Sequence, residues 1–347
     1  MKKLKYILSY CVMIVMFVFI FCGINIINVS ASERFNIGNG YFEYEIKDNN
    51  EITITNYFGT DTELKIPSEI DGKSVTSIGN EAFSDYIGYT SIVIPNSVAN
   101  IGRGALKGLG SSLTNINVDK ENEYFSSEDG ILFNKDKSEL ICYPCKKKDE
   151  SYTIPDSVIS IGEFSFYGCN SLKSVIIPNS VVSIGESSFC KCTSLKSIKI
   201  PDSVTNIKSY VFSSCISLTS ITIPDSITSI ERNAFLNCHF LRNIKIPNSV
   251  TSIESWAFSG CDDLVIYGYK DSYAETYANE ELIQFKDINN QTLNIENPKI
   301  NDNTSSQEIE TTKTNNSNIS IIVILLISIG IIILLWILLI VVKRENK

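Results

Sequence analysis

The sequence predicts a repeat solenoid in which each 23-residue repeat supplies a short strand and one helical turn, preceded by an N-terminal signal and followed by one C-terminal transmembrane helix. Three observations predict it. Prolines fall at 155, 178, 201, 224 and 247, always 23 apart, and the text around them recurs as I-P-[DN]-S-[VI]-x-x-I. After each proline a Phe follows at eleven (Phe166, Phe189, Phe212, Phe235, Phe258), a Cys at fourteen (Cys169, Cys192, Cys215, Cys238, Cys261) and a Leu at seventeen (Leu172, Leu195, Leu218, Leu241, Leu264). Both ends of the chain, unlike this periodic middle, carry long apolar runs. A fixed period in the twenties is the mark of stacked coils, since one such unit cannot bury its apolar face alone.

Residues 1–31 read as an export signal. Met-Lys-Lys-Leu-Lys is positive, an apolar run extends from Tyr6 to about Ile27, and Val29-Ser30-Ala31 fits the small-x-small rule, which places cleavage after Ala31. An uncleaved anchor is the alternative, because the apolar run is long.

Residues 155–264 hold the regular repeats. Leu172, Val175 and Ile177 belong to a short strand that stops at Pro178, because Pro cannot donate to a ladder, and Asn179 turns the chain. Val181 and Ile184 suit a second extended segment. G-E-S-S-F-C-K-C then reads as the helical turn that carries Phe189 and Cys192 inward. Two looser copies precede these over residues 67–116. One starts at Pro67 (Ile78, Phe83, Ile92, Ile94), the other at Pro95 (Ile101, Leu106, Leu109, Leu113, Ile116).

The run S-L-K-S-I-K-I-P-D-S-V-T-N-I with its following aromatic-x-x-Cys resembles the leucine-rich repeats of the BspA-like bacterial surface-protein family, over about residues 35–287. The resemblance implies that residues 32–66 form an N-terminal cap built on a strand pair, 117–154 a hairpin-bearing insert, and 265–288 a closing helix plus strand. It also implies a surface-exposed binding or adhesion protein, without naming its ligand.

Residues 289–318 are rich in Asn, Thr, Ser and Gln and too poor in large apolar residues to offset ordering entropy, so they read as a flexible linker. Residues 319–342 are 24 residues without a charge. At ~1.5 Å per residue they cross a ~30 Å hydrocarbon core. Lys343 and Arg344 open the tail 343–347 and place it in the cytoplasm. The expected arrangement is a single-pass membrane protein with its body outside, and the Lys/Asn/Ile-rich text points to a Gram-positive bacterium.

Composition narrows the chemistry. The 347 residues carry a formal net charge of −9 and only one His. The acidic balance argues against a nucleic-acid partner, and a lone His leaves little room for His-based metal or acid/base sites. His239 stands in a column that elsewhere holds Asn170, Thr193, Ile216 and Asp262, which marks a surface position. No nucleophile-elbow, zincin, P-loop or EF-hand pattern occurs. The Cys column holds Tyr86 and Leu109 in the early turns, so it reads as a row of buried thiols rather than ligands. Cys142-x-x-Cys145 lacks the second pair a structural zinc needs, and a local disulfide is its other reading. Cys190, beside Cys192, reads as an exposed thiol. No catalytic residue, metal or cofactor is assigned.

Binding chemistry has one place to concentrate, the outward side of the strands. Its positions run Ser174/Ile176, Ser197/Lys199, Ser220/Thr222 and Asn243/Lys245, flanked by Lys173, Lys196, Thr219 and Arg242. The candidate stripe is Lys173, Lys196, Lys199, Arg242 and Lys245. It is basic although residues 32–318 hold 24 Lys and Arg against 38 Asp and Glu. Such a strip fits a host-matrix or cell-surface protein with an acidic patch, or an acidic glycan. The rival readings are a solvated face on a structural envelope spacer, and a polysaccharide lyase or hydrolase on a β-solenoid.

Overall fold

The computed structural model describes residues 33–84, 88–107 and 112–290. The expected signal 1–31, most of the linker, the span 319–342, the tail 343–347, and the column residues Tyr86 and Leu109 lie outside the described residues. Among those described, no helix is long and apolar enough to cross a membrane.

Each regular coil has three sides. The first strands, Ser151–Thr153, Ser174–Ile176, Ser197–Lys199 and Ser220–Thr222, form one parallel sheet in which Ser174 pairs with Ser197 and Ser197 with Ser220. Side chains alternate with period two, so Val175, Ile198, Ile221 and Ile244 point into the core while their Ser, Lys and Thr neighbours face solvent. Second strands of two residues, such as Ser183–Ile184 and Ser229–Ile230, stack in the same way.

The third side corrects the expected helical turn. Ser188, Cys190 and Cys192 close i→i−3 turns onto the carbonyls of Gly185, Ser187 and Phe189. The intervening N–H groups of Ser187, Phe189 and Lys191 donate instead to Ser209, Val211 and Ser213 of the next coil. This alternation needs two left-handed residues per coil, which a right-handed helix excludes. They are Phe164, Ser187, Tyr210, Asn233 and Trp256 in one column, and Gly168, Lys191, Ser214, Asn237 and Gly260 in the other. The result is a turn ladder. Its cross-coil bonds run forward along the chain, whereas those entering and leaving the second strands run backward, as Val182 to Ile159 and Gly185 to Ile161 do.

The conserved letters of the repeat each meet a need. The Phe rings stack at 4.9–5.8 Å between centroids from Phe166 to Phe258. Tyr143 stacks on Phe166 at one end, and Tyr277 of the closing helix Tyr273–Glu280 meets Phe258 edge-on at the other. The Ser of P-[DN]-S donates its hydroxyl back to the preceding coil at Ser97, Ser180, Ser203 and Ser226, as Ser180 to Val158 O (2.8 Å) and Ser226 to Val204 O (2.7 Å), whereas the hydroxyl of Ser249 is buried without such a bond. The Cys thiols donate too: Cys192, Cys215 and Cys238 lie 3.1 Å from the carbonyls of Phe166, Phe189 and Phe212. The column therefore prefers a small apolar side chain that can also satisfy a buried carbonyl.

Residues 33–58 form an antiparallel meander, Glu33–Ile37, Gly40–Ile46 and Ile52–Phe58, three strands where a pair was expected. Ile52–Phe58 then pairs in parallel with Lys73–Ile78 and starts the stack. The insert is a second meander, Phe125–Glu128, Ile131–Asn134 and Glu139–Cys142. Its first turn has positive φ at Asp129 and Gly130, and a Cβ at Gly130 would lie 2.2 Å from Asn115 Oδ1. Two apolar cores result, one on each side of this insert. Leu132 belongs to the N-terminal core while its neighbours Ile131 and Phe133 belong to the other.

Two cysteine expectations are corrected here. Cys145 forms a disulfide with Cys169 of the first regular coil rather than with Cys142, so the head of the Cys column is no free thiol. The reason is topological: the chain end of the insert returns over the coil that follows it. Cys190 is buried, because the turn ladder folds it under the next coil.

Candidate functional site

Strand geometry puts the whole predicted stripe in solvent. Lys173, Lys196, Lys199, Arg242 and Lys245 are all exposed. Their environments differ, however. Lys173 Nζ is 2.7 Å from Glu150 Oε1, and Arg242 forms an ion pair with Asp263. Lys196, Lys199 and Lys245 have no ion pair among the described residues. The stripe also spans two sheets rather than one. No ladder joins Ser220–Thr222 to Asn243–Lys245, which instead pairs with Val265–Gly268 and, through it, with Gln284–Asp287.

That second sheet adds two residues that sequence reasoning missed. Lys245 pairs in register with Tyr267, and Tyr267 with Lys286. Lys286 Nζ sits 5.6 Å from the Tyr267 ring centroid, at cation–π range. The outward row therefore runs Ile176, Lys199, Thr222, Lys245, Tyr267, Lys286. Alternation in I-Y-G-Y and Q-F-K-D carried this signal, since period two puts Tyr267 and Lys286 on the face opposite Ile266.

The free thiols make poor nucleophiles. Burial pushes Cys142 up to about 12, and raises Cys190, Cys192 and Cys215 as well. Cys238 is raised by its hydrogen bond with Cys261 and then by burial. His239 Nδ1 lies 3.1 Å from Asp262 Oδ2, both exposed, in the surface column expected for it. Among the described residues no three His, Cys, Asp or Glu side chains gather as a metal site. The open sheet offers charge and one aromatic ring, which is a chemistry of contact.

The model of the BspA type leucine-rich repeat region matches residues 54–129 and 139–265, in six copies. The pneumococcal vaccine antigen PcpA has a similar structure, with a TM-score of 0.50 at 17% identity, covering 73% of this chain and 98% of that one. A leucine-rich cell surface protein of Faecalibacterium prausnitzii gives a TM-score of 0.44 at 24% identity, covering 72% of this chain and 98% of the other. A leucine-rich repeat protein of Eubacterium ventriosum gives 0.38 at 22% identity, covering 67% and 95%. No curated protein matches the chain.

Proposed function

The chain belongs to the BspA-type leucine-rich repeat family, and from that membership we propose a non-catalytic binding protein of the cell surface that holds an acidic macromolecule against its strand face. The partner is a host-matrix or cell-surface protein with an acidic patch, or an acidic glycan. The observation that carries the reading is the row Lys199, Lys245, Tyr267 and Lys286, whose cations have no ion pair among the described residues. Each exposed contact is worth only ~0.2–1 kcal/mol, so the row acts through its sum and weakens with salt. Residues 319–342 anchor the body to the membrane in this reading, after the signal 1–31 is removed. Support for that placement comes from the uncharged span and from Lys343-Arg344.

The envelope-spacer reading draws on a different observation, the neutralised ends of the stripe at Lys173 and Arg242. One experiment separates the two. Cells displaying the full chain are challenged with matrix proteins and acidic glycans at low and physiological salt, alongside a variant with Lys196, Lys199, Lys245 and Lys286 all changed to Ala. Salt-sensitive capture that the variant loses is the expected result; equal capture by both proteins removes the strand face from the function. Protease added to the same intact cells is expected to digest the body, and a protected body would overturn the topology.

A further inference from the structure

A second charged cluster stands on the turn-ladder side, where the insert interrupts the repeats. Arg103 reaches across the insert, with Nε 2.5 Å from Glu163 Oε2 and a terminal nitrogen 2.6 Å from Glu186 Oε2. Its charge is thereby matched by two carboxylates. Arg103 also lies over the Phe164 ring, 5.4 Å from its centroid, and two lysines beside it share the ring contacts but not the carboxylates. Lys107 Nζ lies 4.7 Å from the Phe164 ring centroid and 5.1 Å from that of Tyr167. Lys191 Nζ lies 5.3 Å from the same Tyr167 ring. Phe164 and Tyr167 meet edge-to-face at 6.0 Å. Neither lysine makes an ion pair among the described residues, and the positive field of both reaches the buried thiol of Cys190.

A ring positions an ammonium without cancelling its charge, whereas a carboxylate does both. Arg103 therefore serves as the structural clasp between the two blocks of coils, while Lys107 and Lys191 keep charge available to a ligand. Phe164 and Lys191, which help to build the cluster, are both left-handed, with φ of 58° and 60°. Other coils place Asn233 or Gly260 in these columns, residues that suit such a backbone far better. Ser187, Tyr210, Ser214 and Trp256 hold the same conformation in other coils, so the left-handed backbone belongs to the turn ladder and it is the side chains that distinguish this cluster.

We propose that Lys107, Tyr167 and Lys191 form an anion-binding site for an oxyanion-bearing sugar, one unit of an acidic glycan. The two ammonium groups meet the carboxylate or sulfate. Phe164 and Tyr167 are half-buried, and their exposed parts beside the cations add apolar surface that a sugar ring covers and a bare ion does not. This site lies on a different side of the coil from the strand row and does not depend on it.

The test uses the full chain in detergent micelles, immobilised and probed with a heparin oligosaccharide and an oligogalacturonate, which separate sulfate from carboxylate as the anion. Inorganic sulfate and polyglutamate serve as competitors. K107M/K191M is expected to weaken binding of the preferred sugar about tenfold and to flatten its salt dependence, with unchanged melting. K107R/K191R is expected to keep the binding. Lys191→Gly removes one charge while relieving the backbone, so it reports even if the double variant folds poorly, and it is expected to weaken binding as well. A strand-face variant, K196A/K199A/K245A, is expected to retain the K107M/K191M-sensitive component, which keeps failure of this site distinct from failure of the other. The proposal is overturned if neither sugar binds, if the Met and Gly variants bind as the native chain does, or if sulfate or polyglutamate competes as well as the sugars at equal charge.

Discussion

At the residue scale, the repeat letters divide into those that fill space and those that face water. Phe212 is fully buried, and its ring is stacked between Phe189 and Phe235. Phe212→Ala removes a ring from the middle of this column and is expected to cost about 3–5 kcal/mol. Lys199→Ala, on the open sheet, is expected to change stability by under ~0.5 kcal/mol. Urea denaturation of the two variants checks both, and equal effects would mean that the coil is inside out. The left-handed column gives an opposite sign. Ser214 holds φ 60° in a column where Gly168 and Gly260 also occur. Ser214→Gly removes the Cβ clash of that conformation and is expected to stabilise by about 1 kcal/mol, read as a raised melting temperature. The loss is small, because the Ser214 N–H bond to Leu236 O belongs to the backbone and survives.

At the element scale, the insert is a wedge rather than an appendage. Alternate residues of Ile131–Asn134 enter opposite cores, so Leu132 and Phe133 must both be apolar although they are neighbours. The Cys145–Cys169 disulfide closes 24 residues between the wedge and the first regular coil. Cys145→Ser is expected to lower stability by about 3 kcal/mol on the loop-entropy model. Reductant is expected to reproduce that loss in the native protein and to have no such effect on the variant, as a urea midpoint would show. Much of this level was legible in advance. The spacing of Pro, Phe and Leu gave the strands, the inward faces and the period. The helical turn was misread because Phe189 and Cys192 stand three apart, a spacing that a turn ladder shares with a helix. Its left-handed positions hold Phe164, Ser187, Tyr210 and Trp256, so no glycine announced them. The disulfide was hidden because Cys145 lies outside the repeat frame. Lys286 was overlooked because the closing strand has no proline to mark its phase.

At the scale of the whole molecule, stability is a sum of coils and of the contacts between neighbours. Register carries this: Ser151, Ser174, Ser197 and Ser220 follow one another at equivalent ladder positions. Deleting residues 201–223, one complete period, is expected to leave a folded chain with the same circular dichroism per residue and a lower melting temperature. Deleting 201–212 instead puts Phe and Leu out of phase with the next coil and is expected to abolish cooperative melting. A deletion of either kind with the same outcome would show that the phase does not matter.

The opposed directions of the cross-coil hydrogen bonds have an electrical consequence. A helix aligns every peptide unit and so collects a partial charge at each end. Here the turn-ladder bonds point toward the C-terminus, from Phe164 to Glu186 and from Phe189 to Val211, while those beside the second strands point toward the N-terminus. Their dipoles oppose one another, so an added coil contributes less axial polarity than the same peptide units aligned in a helix would. What the last coil does present is a local row of donors, and the closing helix answers it: the Tyr277 hydroxyl lies against the backbone N–H of Phe258, where a carbonyl of a further coil would otherwise stand, while the neighbouring Ala257 N–H closes its own turn onto Glu254 O.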